Sequence, residues 1–157
     1  MFVDVNALAE VVRSLAPDAR RIAEIGCGDG AVAEALLAVL PGAAYVGVDV
    51  APEPGRLFRG DLDRARFASQ LSSDLLAETG PGQFDLVVVV DLVHRVADAD
   101  RVALLWDAAD LVAPGGLLLV MEWERGAGLG HLLATPVTVK SAGTQQCDSW
   151  MAPRSAA

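Results

Sequence analysis

One stretch restricts the fold more than any other: Ile22-Ala23-Glu24-Ile25-Gly26-Cys27-Gly28-Asp29-Gly30, followed by the nearly all-apolar run Ala31 to Leu40. It reads as a strand, a glycine turn and the start of a helix. Ile22 and Ile25 are strand-type residues. Alternate glycines suit a turn needing positive φ, or a backbone lying close against a ligand. Only Glu34 is polar in the run that follows, so this helix is expected to pack on a sheet. Its amino end offers unpaired N–H groups to an anionic or hydroxyl-bearing ligand.

The rest of the chain repeats the alternation. A first helix is expected from a cap at Asp4 or Asn6 to about Leu15, with Leu8, Val11, Val12 and Leu15 as its buried stripe, packed near the glycine turn. The first strand is Arg21 to Ile25, and Pro41-Gly42 stops the long helix. Ala44 to Asp49 is the second strand. Two prolines in Val50 to Gly55 exclude a regular helix there. Arg56 to Leu62 reads as a short third strand, and Arg64 to Glu78 as a helix with Phe67, Leu71 and Leu75 inward and Asp63 as its cap. Phe84 to Asp91 is an apolar strand buried on both faces, as in a parallel sheet. A helix from Asp98 to Val112 shows the stripe Val102, Leu105, Trp106, Ala109 and Val112. Ala113-Pro114-Gly115-Gly116 ends it, and Leu117 to Glu122 is the fifth strand. Beyond it, Thr135 to Ser141 alternates like a strand, and an antiparallel hairpin at the sheet edge competes with a disordered tail. The fold class is α/β, a mostly parallel, doubly wound sheet. All 157 residues are expected to form one domain: an N-terminal helix (1–20), a core (21–122) and a C-terminal segment (123–157).

Charge narrows the partners. The net charge is −9, and eleven of the 12 basic residues are Arg, Lys140 being the single Lys. The densest basic stretch, Arg56 to Arg66, is interrupted by Asp61 and Asp63, so a nucleic-acid partner is disfavoured. Cys27 and Cys147 have no metal-ligand spacing, so no metal is expected. A small side chain suits the turn at Cys27. Unpaired cysteines and the absence of a signal peptide or long apolar span point to the cytoplasm, with no membrane association.

Two ligand classes compete for the turn. Gly26-x-Gly28-x-x-Ala31 fits the dinucleotide fingerprint. Glu24, two residues before the first glycine, argues against it, because a carboxylate is a poor neighbour for a pyrophosphate and a good one for a cationic amine. Asp49, 19 residues after Gly30 at a strand's carboxyl end, suits the two hydroxyls of a ribose in either case.

From Ile22 to Glu122 the chain resembles the class I S-adenosylmethionine-dependent methyltransferases. The matching pieces are Glu24 to Gly30, Gly47-Val48-Asp49, Gly60-Asp61, Phe84 to His94 and Leu111 to Leu117. A fourth strand opening on Phe-Asp and a Pro-Gly-Gly before the fifth are family habits that dehydrogenases lack. The resemblance implies a Rossmann-like sheet of seven strands with an antiparallel last strand. It implies S-adenosylmethionine as cofactor and S-adenosylhomocysteine as product. Glu24, Gly26, Cys27, Gly28 and Gly30 would hold the methionine part, Asp49 the ribose, and Asp61 and Leu62 the adenine. Asp91 and Leu92 would face the sulfonium and the acceptor, with His94 or Asp91 as the base and Glu122 and Glu124 as further candidates. The expected acceptor is a small molecule. A homodimer or partner chain completing the acceptor site is a further expectation. The rival readings are a non-catalytic cofactor-binding subunit and an NAD-type oxidoreductase. Ribosomal-RNA ribose methylation is disfavoured, since its Lys-Asp-Lys-Glu tetrad needs two lysines.

Overall fold

The computed structural model describes residues 4–122. In chain order the elements are α1 (Val5–Leu15), β1 (Arg21–Ile25), α2 (Ala31–Val39), β2 (Ala44–Asp49), β3 (Ala65–Ser69), α3 (Ser72–Thr79), β4 (Phe84–Val90), α4 (Asp98–Leu111) and β5 (Val112–Met121). A 3₁₀ turn at Val93–Arg95 links β4 to α4. The five strands are all parallel, in the order β3-β2-β1-β4-β5. The expected C-terminal hairpin, and with it the sixth and seventh strands, falls outside the described residues.

The sheet is buried on both faces. Ile22, Tyr45, Leu86, Val88 and Leu119 meet Leu8, Val12 and Leu36 of α1 and α2. Ala23, Ile25, Val48, Val87 and Val89 meet Leu75, Ala108 and Leu111 of α3 and α4. Each large aliphatic side chain so buried contributes about 1.5–3 kcal/mol. Asp85 pins the start of β1, its Oδ2 accepting the backbone N–H of Arg20 (2.9 Å) and Arg21 (2.8 Å). The Phe-Asp pair that opens β4 thus has a structural task.

The third strand is not where the sequence placed it. Residues 51–64 form turns, the strand is Ala65–Ser69, and the helix shrinks to Ser72–Thr79. Ala65-Arg66-Phe67-Ala68-Ser69 has helix-compatible composition, but pairing with β2 overrides it. Phe67 packs against Tyr45 and Phe58, at ring-centroid distances of 5.6 and 5.2 Å, rather than lining a helix. Asp63 caps nothing; Asp74 instead accepts the N–H of Leu71 at the start of α3 (3.1 Å).

Two helices also present other faces than expected. Asp4 does cap α1, accepting the N–H groups of Asn6 and Ala7. The buried residues of α1 are Leu8, Ala9 and Val12, while Val11 and Leu15 are exposed. In α4, Ala108 and Leu111 face the sheet and Val102 and Trp106 are exposed. Ala108 lets the helix approach the sheet more closely than Trp106 would. Pro114 to Gly116 do not precede β5 but bulge within it, for Phe84 pairs with Val112 and Leu86 with Leu117.

Candidate active site

The strand order reverses between β1 and β4, which opens a crevice beyond the carboxyl ends. A cleft of about 610 Å³ lies there, on the α3–α4 face. Ile25, Gly26, Val48 and Asp49 form one side, Gln70 to Ser73 the far end, and Leu92, Arg95 and Val96 the other side. Ala103, Leu104 and Asp107 of α4 close it beneath.

The glycine turn is held from two directions. The β2–β3 link docks on it: Gly55 N–H donates to Gly28 O (2.9 Å), Leu57 N–H to Asp29 O (3.0 Å) and Arg59 N–H to Glu34 (3.0 Å). From the other direction Leu92 lies against Gly26, where an added Cβ would sit 2.7 Å from Leu92 Cδ2. Gly26 also has φ +81°, which L side chains rarely adopt. Gly26→Ala is therefore expected to destabilise by about 1–3 kcal/mol, through strain and overpacking. Chemical denaturation checks this, and an unchanged midpoint would show that Leu92 yields freely.

Asp49 stands at the end of β2 in the cleft wall. Its Oδ2 accepts Gly28 N–H (2.9 Å) and its Oδ1 accepts Ala51 N–H (2.8 Å). A carboxylate has about four acceptor positions, so two remain for a ligand's hydroxyls. The backbone bonds orient both oxygens, and Asp49 ties the glycine turn to the end of β2.

Glu24 sits elsewhere. It is 1 % exposed, on the opposite face of the sheet from the cleft, and takes the hydroxyl proton of Tyr45 in a hydrogen bond. Burial pushes its pKa up to about 8, Tyr45 opposes this, and the nearby Asp49 and Asp29 charges add to it. Burial, with Glu24 and Asp49 near, likewise keeps the Cys27 thiol protonated well above its ordinary range. Cys27 is thus a small packed residue of the turn. Tyr45, which the sequence did not single out, is Glu24's buried partner.

Beyond β4 the chain turns sharply, with Asp91 at φ 52°. Glu122, just past β5, organises this turn. Its Oε1 accepts the N–H groups of Leu92 (2.8 Å) and Val93 (2.5 Å), and its Oε2 accepts His94 N–H (3.4 Å) and faces His94 Nδ1 at 2.9 Å. Burial raises the Glu122 pKa, but these hydrogen bonds outweigh it and the net shift is downward. Asp91 lies 3.5 Å from His94 Nδ1 and 3.1 Å from Arg95. Asp91, His94 and Glu122 offer ligand atoms within 4.8 Å of one another, a spacing open to a cation. The Glu122 oxygens are already committed to four hydrogens, so the trio is better suited to orienting an imidazole. Nδ1–H held by Glu122 leaves Nε2 as the basic nitrogen.

Asp61 and Leu62 do not join the cleft. Arg64, immediately before β3, bonds the carbonyls of Leu40 (2.8 Å) and Ala43 (3.0 Å), and its own carbonyl accepts Tyr45 N–H. Asp61 and Leu62 therefore lie at the amino end of β3, exposed, across the sheet from the cleft. Their adenine role rested on a third strand ending at Leu62. Gln70 and Leu71 follow the true third strand and line the cleft instead. A correct placement of β3 would have revealed them; nothing in the sequence marks Asp107. Glu124 lies outside the described residues.

No helix among the described residues is long and apolar enough to cross a membrane. The family model for a methyltransferase domain matches residues 23–118. The chain is 31% identical over 109 residues to a ubiquinone biosynthesis O-methyltransferase of Pseudomonas aeruginosa, covering 68% of this chain and 45% of that one. It is 35% identical over 117 residues to the protein of that name from Azorhizobium caulinodans, covering 72% and 44%. The chain thus spans less than half the length of these curated relatives. Among solved structures, a SAM-bound amino pentose methyltransferase from Micromonospora echinaspora is 27% identical, with a TM-score of 0.63 over 77% of this chain and 50% of that one. A 1,6-didemethyltoxoflavin N1-methyltransferase from Burkholderia thailandensis shares the fold at 18% identity, with a TM-score of 0.64 over 77% of this chain and 53% of that one. The strand order, the glycine turn, the cleft at the switch point and these likenesses agree: the chain belongs to the methyltransferase domain family.

Proposed function

We propose that the cleft binds S-adenosylmethionine and that the chain transfers its methyl group to a small-molecule acceptor. The observation that carries this is Asp49, aimed into a cleft at the switch point by two backbone N–H bonds, in a chain similar to a SAM-bound methyltransferase. The residues fit the cofactor: Asp49 accepts from ribose hydroxyls, while Leu71, Leu92 and Val96 offer apolar walls to a base. When bound, the cofactor supplies a methyl group on a cationic sulfur. The chain's own part would be to orient the acceptor and to take, at His94 Nε2, the proton the acceptor gives up. Orientation in such a site is worth ~7–11 kcal/mol. Glu122 holds His94 in the tautomer that takes the proton. Glu24 is not part of this binding surface, since it is buried against Tyr45 on the other face of the sheet.

Calorimetry with SAM, S-adenosylhomocysteine and NAD tests the ligand class. Asp49→Ala is expected to weaken SAM binding by roughly tenfold or more, since each tenfold is about 1.4 kcal/mol and a pair of ribose hydrogen bonds is lost. Unchanged affinity removes Asp49 from the ribose site, and tighter NAD binding overturns the proposal. Saturable SAM binding without methylation across an acceptor panel favours the non-catalytic reading. An acceptor wall supplied by a second copy or a partner chain is part of the same proposal, and sedimentation with and without acceptor checks it.

A further inference from the structure

Arg95 is the single cation among the described residues that line the cleft; the other charged residues there are Asp49, Asp100 and Asp107. It ends the 3₁₀ turn Val93–Arg95, on the β4 side of the cleft, and follows His94 in the chain. One carboxylate faces both side chains. Asp91 Oδ1 lies 3.5 Å from His94 Nδ1, and Asp91 Oδ2 accepts from Arg95 Nη2 at 3.1 Å. The guanidinium and the imidazole therefore stand one carboxylate apart. The backbone beneath them is fixed: Glu122 holds the N–H groups of Leu92, Val93 and His94, and Arg95 N–H donates to Leu92 O at 2.8 Å. A guanidinium has five N–H donors, and among the described residues the Arg95 side chain bonds to Asp91 alone. Its side chain is 66% exposed, so most of those donors face water.

Resting on the reading that this cleft transfers a methyl group, we propose that Arg95 selects acceptors that carry a carboxylate, placing that carboxylate beside the hydroxyl or amine that His94 deprotonates. An exposed ion pair between residues four apart contributes little to stability, so Asp91 alone is a weak reason for the guanidinium. A cation beside a sulfonium cofactor opposes that cofactor's binding, and an anionic acceptor between them removes the opposition. The planar guanidinium fork matches a carboxylate with two parallel hydrogen bonds. Asp49, Asp100 and Asp107 repel the same group from the rest of the cleft, which leaves one favourable orientation. The substrate class is then a hydroxy acid or an amino acid, with its reacting group and its carboxylate spaced to reach His94 and Arg95 together.

The test titrates the protein, saturated with S-adenosylhomocysteine, with the 2-, 3- and 4-hydroxybenzoates and their uncharged, nearly isosteric hydroxybenzamides. At least one acid is expected to bind roughly fivefold or more tightly than its amide, and added salt should shrink that ratio. Arg95→Gln should bring the pair to within about twofold, the loss falling on the acid. Arg95→Lys keeps the charge without the fork and should give an intermediate ratio; it reads the same quantity if the Gln variant does not fold. A wild type that prefers no acid, or binds no member of the panel, overturns this proposal alone. So does an unchanged ratio in folded Arg95→Gln with a lowered melting temperature, which leaves Arg95 a tie to Asp91. A variant that loses affinity for S-adenosylhomocysteine instead also overturns it, by moving Arg95 to the cofactor's own carboxylate. A wild type that binds neither SAM nor S-adenosylhomocysteine overturns the methyl-transfer reading itself.

Discussion

Glu24→Gln is expected to stabilise the protein, increasingly so as pH rises from about 4.5 to 8. The group's ordinary pKa is 4.5, and burial raises it to about 8 in the folded state. Between these values the folded chain holds a proton that the unfolded chain releases. Stability therefore falls with rising pH across that window, by about 1.4 kcal/mol per unit. The full cost above pH 8 is of the order of 5 kcal/mol. Gln is nearly isosteric, carries no charge, and its carbonyl still accepts the Tyr45 hydroxyl. The difference between variant and wild type should be small near pH 4.5, about 3 kcal/mol at pH 7 and largest above pH 8. Urea denaturation of both proteins at four pH values measures it. A difference that does not grow with pH would show that Glu24 is ionised in the folded state at neutral pH.

His94→Ala should slow methyl transfer by about 10²–10⁴-fold, the contribution of a positioned base. SAM affinity should stay within about threefold, since His94 is not among the residues that line the cleft. Single-turnover rates, with Kd measured separately, make the distinction. The argument rests on geometry: Glu122 holds Nδ1 at 2.9 Å and three successive N–H groups hold Glu122. Small nucleophilic bases such as imidazole should restore part of the rate at high pH. A variant that turns over at the wild-type rate would remove His94 from proton transfer and leave it a structural tie between β4 and β5.

Much of the frame was legible in the chain itself. The glycines at 26, 28 and 30, the unbroken run Leu86 to Val90 and the acidic Asp49 are local signals that each place a backbone feature. Positive φ needs glycine, a strand buried on both faces needs apolar residues at every position, and a strand end at the switch point exposes its last side chain. These determined β1, β2, β4, the α/β class and Asp49. The family likeness agrees with the chemistry they suggested.

Other features had two local solutions of similar quality. Ala65 to Ser69 suits a helix or an edge strand, and pairing with the distant β2, with Phe67 packed on Tyr45 and Phe58, made it a strand. The α4 sequence carries two apolar stripes, and contact with the sheet selected the one containing the small Ala108. Glu24 was visible as an acid near the turn, yet its face, its burial and its Tyr45 partner came from the packing of β1 on β2. Glu122 and Asp107 act across 28 and 35 residues, on partners that no periodicity links. The sequence by itself determined where the backbone must turn and which strands are buried. Tertiary structure alone decided which side chains meet, because those meetings depend on long-range contacts that no local pattern encodes.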